Sequence, residues 1–156
     1  MTGSPKVIAT INAALASELR AMSQYKQDAA VLVNANLESL AKYFSDFAGQ
    51  EETHYGELLE RITFLNGRPV VQATATDYRE SIEEILTGNL ALELQARNDY
   101  QVAVELAVIE RDSVSRALFE DTEGDEEKHI NFLEGEIALF RELGEVAYTS
   151  AWKARG

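Results

Sequence analysis

The chain has 156 residues, with 14 Lys plus Arg against 27 Asp plus Glu, two His, no Cys and a formal net charge of −13. Such an acidic balance argues against nucleic acid and anionic membranes as partners, because both require clustered cations, and no apolar run of about 18 residues is present. The absence of cysteine excludes thiolate nucleophiles, zinc knuckles and iron–sulfur clusters. We therefore expect one cytoplasmic domain over residues 1–156, with cations as its natural partners.

Apolar residues recur at spacings of three and four from the N-terminus onward, which is the period of one buried helix face. Ser4 and Pro5 suit an N-cap and the first helical position, so the first helix is predicted from about Pro5 to Val33. A polar break at residues 34–36 precedes a second stripe of the same period, which continues to Leu65. This pattern predicts a second helix.

The helical pattern fails between residues 66 and 77, where Gly67 and Pro69 occur. A helix of about 28 residues is roughly 42 Å long, and twelve extended residues cover about 40 Å. An antiparallel neighbour would need a connection of only about 2 to 8 residues. The segment therefore predicts a long crossover between two parallel helices.

The third predicted helix carries an apolar stripe from Ile82 to Val108, and Asp112 can cap a fourth helix that ends at Gly144. Residues 145–155 can form a short fifth helix. Because no alternating hairpin pattern occurs, the predicted fold class is all-α, a four-helix bundle with one long crossover and a short fifth C-terminal helix.

Carboxylates and imidazoles interrupt the middle of all four predicted stripes, where a bundle core ordinarily has Leu or Ile. An ionised carboxylate buried without a partner costs several kcal/mol, and four of them together repel one another. Cations placed between them, with the imidazoles as additional neutral ligands, would remove both penalties. The candidate metal ligands are Glu18, Glu51, His54, Glu93, Glu126 and His129.

The chain also repeats itself at an offset of 75 residues, which indicates an internal duplication of a helix hairpin. Both histidines occur as Glu-x-x-His, a spacing that places the two side chains on one helix face. Distances from the two predicted turns place all six candidate ligands at one level of the bundle. Pairs at this offset include Glu18 with Glu93, Glu51 with Glu126, His54 with His129, Tyr25 with Tyr100 and Phe44 with Phe119.

Four carboxylates and two imidazoles, with no thiolate, favour divalent iron or manganese, with zinc as a competitor, since calcium prefers oxygen ligands alone. Six side chains are too many for one tetrahedral ion, whereas two ions bridged by carboxylates would use them all. One Glu from each of two helices, with Glu-x-x-His from each of the other two, is the pattern of di-iron and di-manganese carboxylate bundles.

Longer motifs carry a family resemblance. They are Gly-x-x-Lys-Val-Ile at residues 3–8, Glu-Leu-x-Ala-x-x-Gln-Tyr at 18–25, Arg-Ile-x-Phe-Leu-x-Gly-x-Pro at 61–69, Leu-Ala-Leu-Glu-Leu at 90–94 and Asp-Glu-Glu-x-His-Ile at 125–130. With them the chain resembles the bacterioferritins, of the ferritin-like superfamily, over nearly its whole length. The resemblance implies that Glu18 and Glu93 are terminal ligands, that Glu51 and Glu126 bridge, and that His54 and His129 each complete one iron.

It also implies a hollow 24-subunit cage that oxidises Fe(II) with O2 or H2O2 and stores ferric mineral. The sequence leaves open which oxidant is preferred and whether iron stays at the site or passes through. One alternative is another di-metal carboxylate enzyme, peroxide-reducing or manganese catalase-like, in a smaller oligomer. A further alternative is an iron buffer without turnover, or a structural helical bundle.

Bacterioferritins bind haem between paired subunits through a methionine directly after the bridging Glu of the second helix. This chain has Glu52 there, and its two methionines are Met1 and Met22. We therefore predict no bis-methionine haem, while a mixed cage with a second, haem-binding subunit stays open.

Three further residues near the predicted site have two readings each. Tyr25 is predicted either to be a redox-active neighbour or to hydrogen-bond a ligand carboxylate. Asp46 and Gln50 are interpreted as surface residues, with the passage of iron inward as their alternative role.

Overall fold

The computed structural model describes residues 1–155 and forms a bundle of four long helices with a short fifth one. The helices are α1 (Pro5–Asn34), α2 (Glu38–Phe64), α3 (Ile82–Ile109), α4 (Ser113–Leu143) and α5 (Glu145–Lys153). No strand occurs in residues 1–155, so the predicted all-α class is confirmed. Within the same residues, no helix combines the length and the apolarity that crossing a membrane requires.

Helices α1 and α2 form one antiparallel hairpin, and α3 and α4 form the other. At one end of the bundle the backbone N–H of Gly3 donates to the carbonyl of Leu65, 2.9 Å away. There the hydroxyl of Ser4 also donates to Glu110 at 2.7 Å. The start of α1 thus lies beside the ends of both α2 and α3, so α2 and α3 are parallel and the crossover spans the bundle, as predicted.

Helix ends agree with the capping residues of the sequence. The side chains of Ser4 and Asp112 accept backbone hydrogen bonds at the starts of α1 and α4, and Gly144 ends α4 with a φ of 75°. The third helix begins later than the predicted end of the crossover at residue 77. Its start is set by a capping box in which Ser81 and Glu84 satisfy each other's backbone N–H groups.

The duplication extends to the backbone of the two hairpin turns. Asn36 and Arg111 are 75 residues apart and both have a φ of 57°. Asn tolerates this left-handed conformation well, whereas for Arg it is unusual. The same turn geometry therefore serves both hairpins with different side chains.

The apolar stripe of α3 differs from the prediction at its C-terminal end. Val108 is 54% exposed, whereas Ala103 and Ala107 are buried. At about 100° per residue, a position eight residues after Tyr100 lies about 80° away around the helix, but a position seven residues after it returns to within about 20°. The predicted stripe continued from Tyr100 to Val108 in two steps of four residues, and its end therefore left the buried face.

Apolar side chains form two core clusters that are separated along the bundle. One includes Leu32, Phe44 and Leu133 and is covered by Tyr148 and Trp152 of α5. The other contains Ile11, Leu15, Leu58, Ile62 and Phe119, at the end of the bundle where the N-terminus lies. The middle of the bundle, between the two clusters, is occupied by the predicted metal ligands.

The crossover is fastened to α1 and α3 by a buried polar network. Asp28 is fully buried and accepts hydrogen bonds from Arg79 at 2.8 Å, Asn89 at 2.7 Å and Gln24 at 3.1 Å. Gln24 also binds the backbone N–H and carbonyl of Asp77. Burial raises the pKa of Asp28 and outweighs the opposing effects of Asn89 and Arg79. The network fixes the crossover on the bundle.

Candidate metal centre

The six predicted ligands lie together in one cluster, called here the carboxylate–histidine cluster. Each of the four long helices contributes, so the two hairpins meet at this point. No member is more than 4% exposed. The members are Glu18 of α1, Glu51 and His54 of α2, Glu93 of α3, and Glu126 and His129 of α4.

Two overlapping groups within the cluster could each hold one metal ion. The first consists of Glu18, Glu51, His54 and Glu126, and the second consists of Glu51, Glu93, Glu126 and His129. In each group, one oxygen or nitrogen atom per residue lies within 4.8 Å of the others. Because Glu51 and Glu126 belong to both groups, two ions placed there would share these carboxylates.

Unpaired polar atoms test whether metal ions suit this arrangement. Among residues 1–155, Glu51 Oε1, Glu126 Oε2 and His129 Nδ1 are buried without a hydrogen-bond partner. Nδ1 lies 3.1 Å from that Glu51 oxygen and 3.3 Å from that Glu126 oxygen. Buried polar atoms are ordinarily paired, and cations between them would satisfy all three. The oxygen-rich donor set with two imidazoles fits iron or manganese.

Protons offset part of the charge in this cluster. Burial raises the pKa of Glu18 to about 8 and that of Glu126 to about 10. Burial lowers the pKa of His54, but the neighbouring carboxylates of Glu18 and Glu51 outweigh it and raise the value to about 11. For Glu51, burial raises the pKa, yet the nearby imidazoles of His129 and His54 outweigh it and lower the value to about 2. Metal ions entering the cluster would have to displace these protons.

Two buried tyrosines bind Glu18 and Glu93, the two carboxylates that the metal-binding groups do not share. The hydroxyl of Tyr25 donates to Glu93, and that of Tyr100 donates to Glu18, so each bond joins the two hairpins. Burial raises the pKa of both phenols, which therefore stay protonated donors. The hydrogen bond from Tyr25 is present and reaches Glu93, one of the predicted ligands. The role of Glu93 as a ligand and the redox role of Tyr25 stay predictions.

Each imidazole turns Nδ1 toward the cluster and Nε2 toward a polar partner outside it. His54 Nε2 lies 3.2 Å from Asp125 Oδ2, and His129 Nε2 lies 2.5 Å from the side-chain oxygen of Gln50. Both partner oxygens are acceptors, so Nε2 carries a proton and Nδ1 is the atom left to bind a cation. Hydrogen bonds of this kind orient metal-binding imidazoles.

Sequence reasoning missed both of these contacts. Asp125 was not predicted, and Gln50, interpreted as a surface residue, is exposed but also contacts His129. A signal was present, because both directly precede a Glu-x-x-His motif and are 75 residues apart. Asp46, in contrast, is exposed and accepts a hydrogen bond from Lys42, as its surface interpretation requires.

A cavity between α1 and α3 leads from the surface to the cluster. Its volume is about 230 Å³, and its lining includes Glu18, Glu93 and Glu126. Thr74 of the crossover and Asp99 of α3 also line it. The cluster is therefore buried but connected to solvent through an opening that polar and apolar side chains line together.

Comparison with known proteins places the chain among close relatives over nearly its full length. A family model described as a ferritin-like domain matches residues 8–143. The bacterioferritin of Brucella melitensis is 36% identical over 150 residues, which are 95% of this chain and 92% of that protein. The bacterioferritin of Rhodobacter capsulatus is 37% identical over 145 residues, with coverages of 92% and 90%.

A solved structure of the Rhodobacter capsulatus bacterioferritin superposes on this fold with a TM-score of 0.94. The two chains are 35% identical in that comparison, which covers 97% of this chain and 95% of the other. That structure is described as having a metal-free dinuclear site and haem iron in a crystallographic special position. The predicted four-helix bundle with its crossover and short fifth helix is thus the fold of this relative.

Proposed function

The chain belongs to the bacterioferritins, a family with a ferritin-like domain, and we propose that it stores iron. We propose further that it oxidises Fe(II) to Fe(III) at the carboxylate–histidine cluster. The observation that carries the proposal is the pair of overlapping four-residue groups that share Glu51 and Glu126. We also propose that the protein acts in the cytoplasm and that residues 1–156 form a single domain.

The ligand roles follow from which residues the two groups share. Glu51 and Glu126 are proposed to bridge two irons, and the remaining residues are proposed to complete one iron each. Glu18 and His54 would serve the first iron, and Glu93 and His129 the second. The unpaired atoms of Glu51, Glu126 and His129 support this assignment.

When bound, two ferrous ions would each supply one electron to O2 or H2O2 and become ferric. The chain's own residues prepare the place for this chemistry. Carboxylates favour the ferric product because they neutralise its additional charge. Tyr25 and Tyr100 hold Glu93 and Glu18 in position. The apolar clusters on both sides restrict the access of water to the opening between α1 and α3.

A 24-subunit cage that stores the ferric product is the second part of the proposal. Several large apolar side chains lie on the surface of the isolated chain, each at least half exposed, where subunit contacts would bury them. They include Val33, Phe64, Val108, Ile109, Val114 and Val146. We keep the homo-oligomer as the proposed form, with a mixed cage as its variant.

Haem bound through a methionine pair is not part of the proposed function. Glu52 is exposed and its carboxylate lies 3.6 Å from the ammonium group of Lys26, so both charges remain in contact with water. A surface carboxylate paired in this way does not supply the thioether that such haem requires.

Stopped-flow oxidation of Fe(II) tests the proposed activity. Glu18→Ala and His54→Ala should abolish the fast phase of ferric absorbance, because each removes a proposed metal ligand. Assembly should not change, because both side chains are buried inside the subunit. Asp46→Ala serves as the control, since it removes an exposed acid from the same bundle. Unchanged kinetics in the two ligand variants would contradict the assigned roles.

Particle mass tests the cage separately from the chemistry. A 24-mer of a 17.3 kDa chain has a mass of about 415 kDa. A dimer or hexamer that still oxidises iron would instead favour a peroxide-reducing or manganese catalase-like enzyme on the same bundle. Light scattering coupled to size exclusion distinguishes these outcomes.

A further inference from the structure

The two halves of the carboxylate–histidine cluster differ in what supports their imidazoles. The six ligands and both tyrosines obey the 75-residue offset, but the residues behind the histidines are Gln50 in the first half and Asp125 in the second. Because each histidine reaches across to the other hairpin, His54 contacts the carboxylate of Asp125, and His129 contacts the amide of Gln50.

Charge also differs around these two partners. Asp125 accepts a hydrogen bond from Lys128 at 2.6 Å through its other oxygen. The residue 75 positions before Lys128 is Thr53, whose hydroxyl donates to the backbone carbonyl of Gly49. Both partners of this pair are exposed, Lys128 at 77% and Asp125 at 40%, so water screens the attraction between them. The imidazole of His54 on the other side of Asp125 is only 5% exposed and feels this carboxylate with less screening.

A carboxylate and an amide act differently on an imidazole that binds metal. When a carboxylate accepts the Nε2 proton, electron density rises at Nδ1 and the imidazole becomes a stronger ligand. A neutral amide oxygen orients the ring but adds less electron density. Partners of this kind typically change metal affinity by about 10- to 100-fold.

We infer that the two cation positions are unequal: the position completed by His54 binds a divalent cation more tightly and fills first, and the position completed by His129 is weaker and empties first. The inference rests on the proposed di-metal function of the cluster. Asp125 and Gln50 are positioning residues, since they act through the imidazoles. One ion can then exchange while the other stays.

Co(II) provides a test that does not depend on iron oxidation. Crystals of the assembled protein loaded with one Co(II) per chain should show two unequal anomalous peaks. For a Kd ratio of about 10, the occupancies at half filling should differ by about three to one in favour of the His54 position. Titration in solution, followed by the Co(II) absorption bands, should require two Kd values that differ by about tenfold.

Isosteric substitutions test the assignment to Asp125 and Gln50. Asp125→Asn should make the two positions nearly equal, and so should Gln50→Glu. The double variant keeps the total charge and should reverse the preference, so that the His129 position fills first. Asp121→Asn removes an acid one helical turn away and should leave the occupancies unchanged.

The outcomes separate this inference from the proposed function. Two equal Co(II) peaks in the unaltered protein, or a double variant with the original preference, would overturn the inequality while leaving a di-metal cluster in place. Absence of Co(II) from the six ligands would overturn the proposed function together with this inference.

Discussion

Replacing Arg79 by Met would remove the cation that faces the buried Asp28 while keeping much of the side-chain volume. Asp28 would keep its hydrogen bonds from Asn89 and Gln24 but lose the only charge that compensates it among the described contacts. Breaking a buried ion pair from one side costs about 3–5 kcal/mol. At about 2–4 °C per kcal/mol for a chain of this size, Arg79→Met should lower Tm by about 6–20 °C.

The destabilisation should depend on pH in a defined direction. Burial already raises the pKa of Asp28 in the folded state, and loss of Arg79 should raise it further. Between the unfolded and folded pKa values the folded state then binds more protons, so the unfolding free energy of the variant falls as pH rises through that window. The deficit relative to the unaltered protein should therefore be larger at pH 8 than at pH 4.5.

Thermal melts followed by circular dichroism, in chelator and at both pH values, measure these effects. Asp28→Asn and the double variant complete a cycle that isolates the coupling between the pair. Arg116→Met removes an exposed arginine paired with Glu120 and should change stability by less than about 1 kcal/mol. A loss below about 1 kcal/mol in Arg79→Met, or equal losses at both pH values, would refute this account of how the crossover is held.

Three other predictions concern the crossover, haem and iron entry. Gly88→Ala should lower Tm in the same melts, because an added Cβ would lie 2.5 Å from Cζ of Arg79, a side chain that its ion pair with Asp28 holds in place. Ala is favoured over Gly inside a helix by about 1 kcal/mol, so an unchanged or higher Tm would show that moving Arg79 costs no more than that. Protein expressed with ample haem should have no Soret absorbance, whereas Glu52→Met should gain it; a Soret band in the unaltered protein would contradict the assignment. Raising the salt concentration should slow the initial oxidation of Fe(II), because the net charge of −13 attracts cations less when screened, and a rate independent of salt would contradict this.

The helices and the six cluster residues could be predicted because their signals are periodic. Spacings of three and four identify buried faces, and the offset of 75 residues links Glu18 to Glu93 without any structure. Local chemistry was equally informative, since Ser4 and Asp112 cap the helices that they were expected to cap. These features depend on neighbours in sequence or on an internal repeat.

Features that depend on distant partners were not accessible in this way. Asp28 and Arg79 are 51 residues apart, and the crossover that carries Arg79 has no periodic pattern. Asp125 and Gln50 occupy polar helix faces where most acids and amides face solvent, and only the packing of the two hairpins turns them toward the imidazoles. The prediction for Val108 failed for a different reason. Repeated steps of four residues move around the helix, so the end of a long stripe leaves the buried face.

Anaerobic titration of the metal-free protein with Fe(II), followed by admission of O2 or H2O2, tests the di-iron proposal most directly. We predict binding that saturates at two ferrous ions per chain and a rapid rise of ferric absorbance once oxidant is added. With Glu51→Ala, which removes a carboxylate common to both groups, we predict fewer than two ions and no rapid rise. Saturation at one ion or none in the unaltered protein, or two ions and fast oxidation in Glu51→Ala, would contradict the proposal.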